Sequence, residues 1–98
     1  MSLTIKWNRR AIEHFDHAIA YIENDSPKNA EKFKIDILYK IDGLIKHPEK
    51  YSPDKYKINN DGSFRAFELH RYRISYRYKK DEIRIIRIRH TKMNPLNY

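Results

Sequence analysis

The spacing of apolar residues changes part-way along the chain, and this change limits the folds that the chain can form. Before residue 49, apolar side chains recur every three or four positions, which is the spacing of an amphipathic helix. After residue 57, they alternate with polar side chains, as in a strand with one buried face. This order predicts an α+β fold in which helices cover one face of a sheet.

The first half of the chain predicts a short strand and a helical hairpin. Residues 3–7 alternate apolar and polar side chains, and Asn8 is a candidate N-cap for the helix that follows. Ser26-Pro27 has the residue types of a second helix start, and His47-Pro48 predicts the end of that helix. Because only a few residues separate the helices, we expect them to fold back as an antiparallel pair.

The second half predicts three strands, at residues 64–69, 72–78 and 83–89, in a mainly antiparallel sheet. In the middle strand, tyrosine and isoleucine alternate with arginine and serine, so one face would be packed and the other cationic. The last strand contains the adjacent residues Ile85 and Ile86. This pair indicates either a central strand that is partly buried on both faces or a β-bulge.

The net positive charge comes from the second half of the chain. Lys and Arg number 21 against 13 Asp and Glu, for a formal net charge of +8. Residues 1–49 contain 8 of each kind, whereas residues 50–98 contain 13 basic and 5 acidic side chains. Six arginines lie within residues 71–89, interleaved with tyrosines that can stack on bases. This concentration favours a face directed at a polyanion or an acidic protein, and the alternative is a solvated basic surface.

The composition excludes several classes of mechanism. The chain has no cysteine, which excludes disulfide scaffolds, thiolate zinc sites and thiol nucleophiles. His14 and His17 lie three residues apart on the first predicted helix, but no third ligand is evident, and we expect no metal and no cofactor. The length of 98 residues predicts a single domain over residues 1–98. Neither a membrane span nor a secretory signal is evident, so we expect the protein in the cytoplasm.

Five segments, taken in order, resemble the RelE/ParE superfamily, the small basic toxins of type II toxin–antitoxin systems. They are the opening strand, Tyr21-Ile22 before the Ser-Pro helix start, residues 44–48, the run Tyr72-Arg73-Ile74-Ser75-Tyr76, and the run Ile86-Arg87-Ile88-Arg89-His90. The resemblance spans most of the chain and implies the same α+β fold. It also implies a cognate antitoxin as partner. We expect a segment of this partner to cover the sheet or to lie along the helical hairpin.

Two activities occur among the proteins that the chain resembles. Members similar to RelE cut messenger RNA on the ribosome, whereas members similar to ParE poison DNA gyrase without catalysis of their own. The leading interpretation from the sequence is a ribosome-dependent, metal-independent endoribonuclease, with the ribosome and messenger RNA as partners. The alternatives are a ParE-like gyrase poison and a basic nucleic-acid-binding module.

Three residues are candidates for catalysis: Arg73, His90 and Tyr98. Metal-free RNA cleavage requires a base for the 2′-hydroxyl proton, a cation near the phosphate and an acid for the leaving oxygen. By resemblance, Arg73 corresponds to the arginine that contacts the scissile phosphate in ribonuclease members, and its alternative role is an ion pair with Glu68 or Asp81. His90 ends the last strand and is a candidate for proton transfer. Tyr98 is a candidate for base stacking or proton transfer.

Five further basic residues are candidates for RNA binding: Arg65, Arg77, Lys92, Lys55 and Lys57. Arg65 corresponds roughly to a basic residue of the family, but it shares a face with Phe67 and Leu69, which favours the core side. Ribonuclease relatives often have a lysine two residues further along, where this chain has Phe67. This departure weakens the assignment of a general base, and the two lysines at 55 and 57 are candidates to replace it.

Overall fold

The computed structural model describes residues 3–98. In chain order the elements are β1 (Thr4–Trp7), α1 (Arg9–Asp25), α2 (Pro27–Gly43), β2 (Phe64–Leu69), β3 (Tyr72–Lys79) and β4 (Glu82–His90). Within these residues the strands form one sheet in the order β1-β4-β3-β2, with β1 parallel to β4 and the other neighbours antiparallel. This arrangement confirms the α+β fold predicted from the sequence. No described helix is long and apolar enough to cross a membrane.

Local hydrogen bonds explain how the two helices begin. The Oγ of Ser26 accepts a hydrogen bond from the backbone N–H of Asn29 at 3.1 Å, and Pro27 occupies the first turn of α2. Asn8 precedes α1, but its side chain makes no capping hydrogen bond. Its Oδ1 instead accepts a hydrogen bond from Arg84 at 3.3 Å, which joins the start of α1 to β4.

The end of α2 differs from the prediction. The helix ends at Gly43, ahead of the predicted stop at His47-Pro48. Over residues 44–46, each backbone N–H bonds to the carbonyl three residues earlier, at 3.0, 3.3 and 3.2 Å. This is the tighter spacing of a 3₁₀ turn, so the chain continues to coil beyond α2 in a different geometry.

The strand pairing determines which side chains share a face. Tyr72, Ile74 and Tyr76 of β3 are buried on the side of the helices. The residues between them lie on the opposite side, which we call the polar face. The polar face consists of Phe64, Ala66 and Glu68 from β2, Arg73, Ser75 and Arg77 from β3, and Arg84, Arg87 and Arg89 from β4.

A β-bulge in β4 resolves the alternative that the sequence left open. Tyr76 pairs with Ile85, but the preceding residue, Ser75, pairs with Arg87, so Ile86 is an extra residue in β4. The bulge reverses the alternation of side chains along the strand. Ile83 and Ile85 therefore reach the helix side before the bulge, and Ile88 reaches it after the bulge.

The core lies between the helices and the sheet. Phe15 of α1 packs against Phe33 of α2, with ring centroids 6.0 Å apart, and Phe33 packs on Tyr72 of β3 at 5.0 Å. Tyr76 is fully buried, and its hydroxyl donates a hydrogen bond to the carbonyl of Pro48 at 2.8 Å. Both helices pack on the same side of the sheet, so the residues that cover the polar face come from the loops.

Candidate functional site

Arginines occupy neighbouring positions on the polar face. Arg73 on β3 lies between Glu68 on β2 and Arg89 on β4. In the next row, Ser75 lies opposite Arg87. Directly paired residues of antiparallel strands have Cβ atoms about 5 Å apart, so these side chains are within reach of one another.

Asp54 brings a buried carboxylate to this surface. The segment that contains it runs along the outer edge of β2, where the N–H of Asp54 donates to the carbonyl of Phe64 at 2.8 Å. Asp54 is only 2% exposed. Its Oδ1 accepts hydrogen bonds from Nη2 of Arg73 at 2.8 Å and from the backbone N–H of Tyr56 at 3.1 Å, and its Oδ2 accepts one from the hydroxyl of Tyr98 at 2.6 Å.

The loop that carries Asp54 is shaped by Asn60. The Nδ2 of Asn60 donates to the carbonyls of Phe64 at 2.8 Å and of Asp54 at 3.3 Å. Its Oδ1 accepts a hydrogen bond from the N–H of Gly62 at 2.8 Å. Gly62 has a φ of 94°, a conformation that glycine adopts at little cost. One asparagine thus closes the loop and fixes Asp54 beside β2.

The C-terminal segment crosses the polar face and ends against this loop. The N–H of Tyr98 donates to the carbonyl of Tyr56 at 3.0 Å, and the carbonyl of Tyr98 accepts from the N–H of Ile58 at 2.6 Å. The Nζ of Lys57 also donates to that carbonyl, at 3.2 Å. The guanidinium of Arg87 lies 4.1 Å from the centre of the Tyr98 ring, a cation–π contact.

These contacts shift the pKa values of the buried groups. Burial opposes ionisation of Asp54, but the hydrogen bonds from Tyr98 and Arg73 outweigh it and hold the pKa of Asp54 below its ordinary value. Burial, together with donation to Asp54, raises the pKa of the Tyr98 hydroxyl. Burial, with neighbouring arginines, lowers the pKa of Arg87. Asp54 is therefore an ionised carboxylate at neutral pH and Tyr98 a neutral hydrogen-bond donor.

A protein-family model described as the ParE toxin of the type II toxin–antitoxin system parDE matches residues 5–95. The chain belongs to this ParE family. Membership confirms the resemblance to the RelE/ParE superfamily seen in the sequence. A solved structure described as the chromosomal ParDE toxin–antitoxin system from P. aeruginosa is 22% identical in sequence, with a TM-score of 0.72 over 93% of this chain and 98% of that chain. At that identity the likeness concerns the fold. No curated protein sequence matches the chain.

In this ParE-family chain, two of the three candidate catalytic residues come together and the third does not. Arg73 and Tyr98 both bind Asp54. His90 pairs with Tyr72 across the strands and therefore lies on the helix side of the sheet. Its ring contacts the ring of Tyr72 edge-on at 4.9 Å, and its Nδ1 accepts a hydrogen bond from the N–H of Lys92 at 3.0 Å.

The candidate RNA-binding residues do not lie in one place. Arg65 faces the helix side, as its pairing with Tyr76 requires, and donates to the carbonyl of Tyr51 at 2.6 Å. Arg77 lies on the polar face, where Nε donates to the Oγ of Ser63 at 2.9 Å. Lys57 binds the carbonyl of Tyr98, whereas the side chains of Lys55 and Lys92 are exposed.

Sequence reasoning missed the residue at the centre of the site. Asp54 follows Pro53 in a segment that was predicted only as a polar link. The one available signal is that Asp54 is the single acidic residue between Glu49 and Asp61 in a stretch with several lysines. The alternative role considered for Arg73 is present as well, because its Nη1 donates to Glu68 at 3.0 Å.

Of the two α1 histidines, His14 makes a structural contact, whereas His17 is exposed. The Nδ1 of His14 accepts a hydrogen bond from the N–H of Ile88 at 3.1 Å, which joins α1 to β4. Burial, assisted by Arg10 and Arg89, lowers the pKa of His14 and keeps its ring neutral. Among residues 3–98, no group of three or more His, Cys, Asp or Glu side chains could hold a metal ion.

Proposed function

We propose that this ParE-family chain is a toxin that acts by binding, without catalysis of its own, and that its target is DNA gyrase. One observation carries the proposal: the candidate catalytic side chains do not surround a common point. Arg73 and Tyr98 lie together on the polar face, while His90 lies on the opposite side of the sheet. Cleavage of RNA needs its proton donor and acceptor beside one phosphate.

The state of Arg73 and Tyr98 supports the same proposal. Nη2 and Nη1 of Arg73 already donate to Asp54 and Glu68, at 2.8 and 3.0 Å. Two of the three guanidinium nitrogens of Arg73 are therefore already occupied by carboxylates of the protein. The hydroxyl of Tyr98 donates to Asp54, and its raised pKa keeps it protonated at neutral pH, so the form that could act as a general base is not populated. A binding surface needs none of these groups to be free.

Family membership adds to this argument. Superfamily members similar to ParE poison DNA gyrase. The family model that matches residues 5–95 of this chain is that of a ParE toxin. We therefore propose that the chain binds gyrase and stabilises its DNA-cleaved state. The endoribonuclease predicted from the sequence is the competing outcome of the experiment below.

We also propose that a cognate antitoxin with an acidic segment keeps this toxin inactive. The formal net charge of +8 favours such a partner, because opposite charges accelerate association and select between partners. A protein encoded beside the toxin should co-purify with it and bind more slowly as salt is raised. A salt-independent association rate would contradict the electrostatic part of this proposal.

The test runs two assays on one protein preparation. In the first, the chain is incubated with gyrase and supercoiled plasmid, and linear DNA is expected only when gyrase is present. In the second, primer extension on messenger RNA in translating ribosomes is expected to show no new 5′ ends. The variant Tyr98→Phe removes the hydroxyl but keeps the ring, so it should still trap DNA breaks. New RNA ends that disappear with Tyr98→Phe would instead establish a ribonuclease.

A further inference from the structure

A small cavity on the polar face is lined by three arginines. Its volume is about 80 Å³, and Arg73, Arg87 and Arg89 contribute to its wall together with Ser75. The rest of the wall comes from Glu68 and Thr91 and, in the loop and the C-terminal segment, from Tyr56, Met93 and Pro95. The docked C-terminal segment thus forms part of the wall, and its last residue, Tyr98, contacts Arg87.

The strand register forces these cationic groups together. Arg73 lies directly opposite Arg89, and like charges in that position destabilise a sheet. Arg87 lies opposite Ser75, whose short side chain leaves space beside the guanidinium. The arrangement therefore contains a repulsion between two arginines and an empty space beside a third. An anion would reduce the repulsion and fill the space.

Several hydrogen-bond donors at the cavity lack acceptors. The Nε atoms of Arg73 and Arg89 and the Oγ of Ser75 are buried without a hydrogen-bond partner in the part of the chain that the structure describes. Arg87 is 9% exposed, and its guanidinium contacts the ring of Tyr98 at 4.1 Å. Buried polar groups are normally paired, so this set of donors indicates a missing acceptor.

The nearby carboxylates do not fill this role. Asp54 and Glu68 both bind Arg73, at 2.8 and 3.0 Å. Among the described residues, neither carboxylate forms an ion pair with Arg87 or Arg89. Arg89 donates only to the carbonyl of Asn94, at 3.0 Å, among residues 3–98. Arg87 and Arg89 are thus left without an ion-pair partner among the described residues, which is costly for Arg87 because it is buried.

We propose that this cavity binds one free tetrahedral oxyanion of the phosphate class, held by Arg87, Arg89 and Ser75. A guanidinium presents paired N–H donors that match two phosphate oxygens. The volume of about 80 Å³ admits an ion of a few atoms, since one water needs roughly 10–15 Å³. It is far below the roughly 300 Å³ or more of pockets for larger organic ligands, so a nucleotide does not fit. The site is independent of the proposed action on gyrase.

The ion would stabilise the docked C-terminal segment. A ligand that binds only the folded state raises stability by mass action. Because Met93, Pro95 and Tyr98 lie at or beside the cavity, the stabilisation should extend to residues 93–98. This gives the site a structural role that needs no catalysis.

The experiment measures the thermal unfolding of the full chain in millimolar sodium phosphate and in sodium chloride of equal ionic strength. We expect a Tm that rises with phosphate and, above the Kd, keeps rising with the logarithm of the phosphate concentration, as binding at one site of the folded state requires. Arg87→Gln should weaken phosphate binding roughly tenfold or more, the loss expected for a hydrogen bond to a charged group. Arg9→Gln, at an exposed position of α1, is the matched control and should keep the full rise.

Three outcomes would overturn the proposal. One is a rise in Tm in sodium chloride equal to that in phosphate. Another is a rise in Tm with phosphate that the Arg87→Gln variant retains. Either result would indicate a general salt effect. The third is protection by a short single-stranded RNA but not by free phosphate, which would make this a polynucleotide surface. If Arg87→Gln does not fold, Arg89→Gln replaces it as the variant with a weakened site. Phosphate binding to the folded wild-type chain is then also measured by the broadening of the phosphorus NMR line.

Discussion

The two faces of the sheet are closed by different kinds of interaction. On the helix side, residues such as Ile74, Tyr76 and Ile85 are fully buried against α1 and α2. On the polar face, the cover consists of loop residues held by a carboxylate, by arginines and by aromatic rings. Apolar contacts do not depend on ionisation, whereas the contacts of Asp54 do. The stability contributed by the helix side is therefore independent of pH, whereas the stability contributed by the polar face requires a charged group.

The largest expected effect comes from the helix side. Phe33 is 2% exposed and packs against Tyr72 at 5.0 Å, so Phe33→Ala would leave a cavity in the core. We expect the free energy of unfolding to fall by about 3–5 kcal/mol, measured by urea denaturation. The control, Ile35→Ala on the same helix, changes a side chain that is 56% exposed and should have little effect. Similar losses for the two variants would contradict this view of the helix side.

The next effect comes from the centre of the polar face. Asp54→Ala removes the acceptor of Arg73 and Tyr98 and leaves a cation with one remaining carboxylate, Glu68. We expect a loss of about 3 kcal/mol in urea denaturation, because breaking a buried ion pair is strongly destabilising. Asp81→Ala, at an exposed turn, is the control. An unchanged stability for Asp54→Ala would show that the loop docks without its carboxylate.

A smaller effect is expected at the C-terminal segment. Tyr98→Phe removes the hydroxyl that donates to Asp54 at 2.6 Å but retains the ring beside Arg87. The free energy of unfolding should fall by about 1–2 kcal/mol, the value of a hydrogen bond to a charged acceptor. Tyr39→Phe, at a side chain that is 78% exposed, should be neutral. A larger loss than for Asp54→Ala would place the main contribution of Tyr98 outside this hydrogen bond.

The smallest effect is a difference in pH dependence. The pKa of Asp54 is lowered in the folded state, so its contribution is fully present above its unfolded pKa of about 3.9. That contribution is lost as the pH falls through the folded pKa. Three other carboxyl groups also have lowered pKa values: Asp36, Glu82 and Asp61, whose pKa is about 2. The dependence of wild-type stability on pH therefore contains the contributions of all four groups. Asp54→Asn should therefore lose less stability than wild type between neutral pH and pH 3; parallel urea midpoints would contradict this.

The bulge in β4 illustrates why the site was harder to predict than the fold. With strict alternation, His90 would share a face with Arg84, on the polar side. The extra residue, Ile86, reverses that order and places Arg87 and Arg89 on the polar face instead. The adjacent isoleucines indicated that a bulge was one option. Local sequence does not choose between a bulge and a strand buried on both faces, so the location of His90 could not be predicted.

The helices and strands, the cationic face of β3 and the family resemblance were all available from the sequence, because periodicity and turn residues act over a few neighbouring positions. The C-terminal cover was not. Asp54 and Tyr98 are 44 residues apart in the chain, and only the tertiary structure brings them into contact. No local pattern encodes such a contact, because it depends on how the loop and the C-terminal segment both cross the sheet. The tertiary structure alone decided that Arg73 is paired, that Tyr98 is a donor and that Arg87 lies buried beside it.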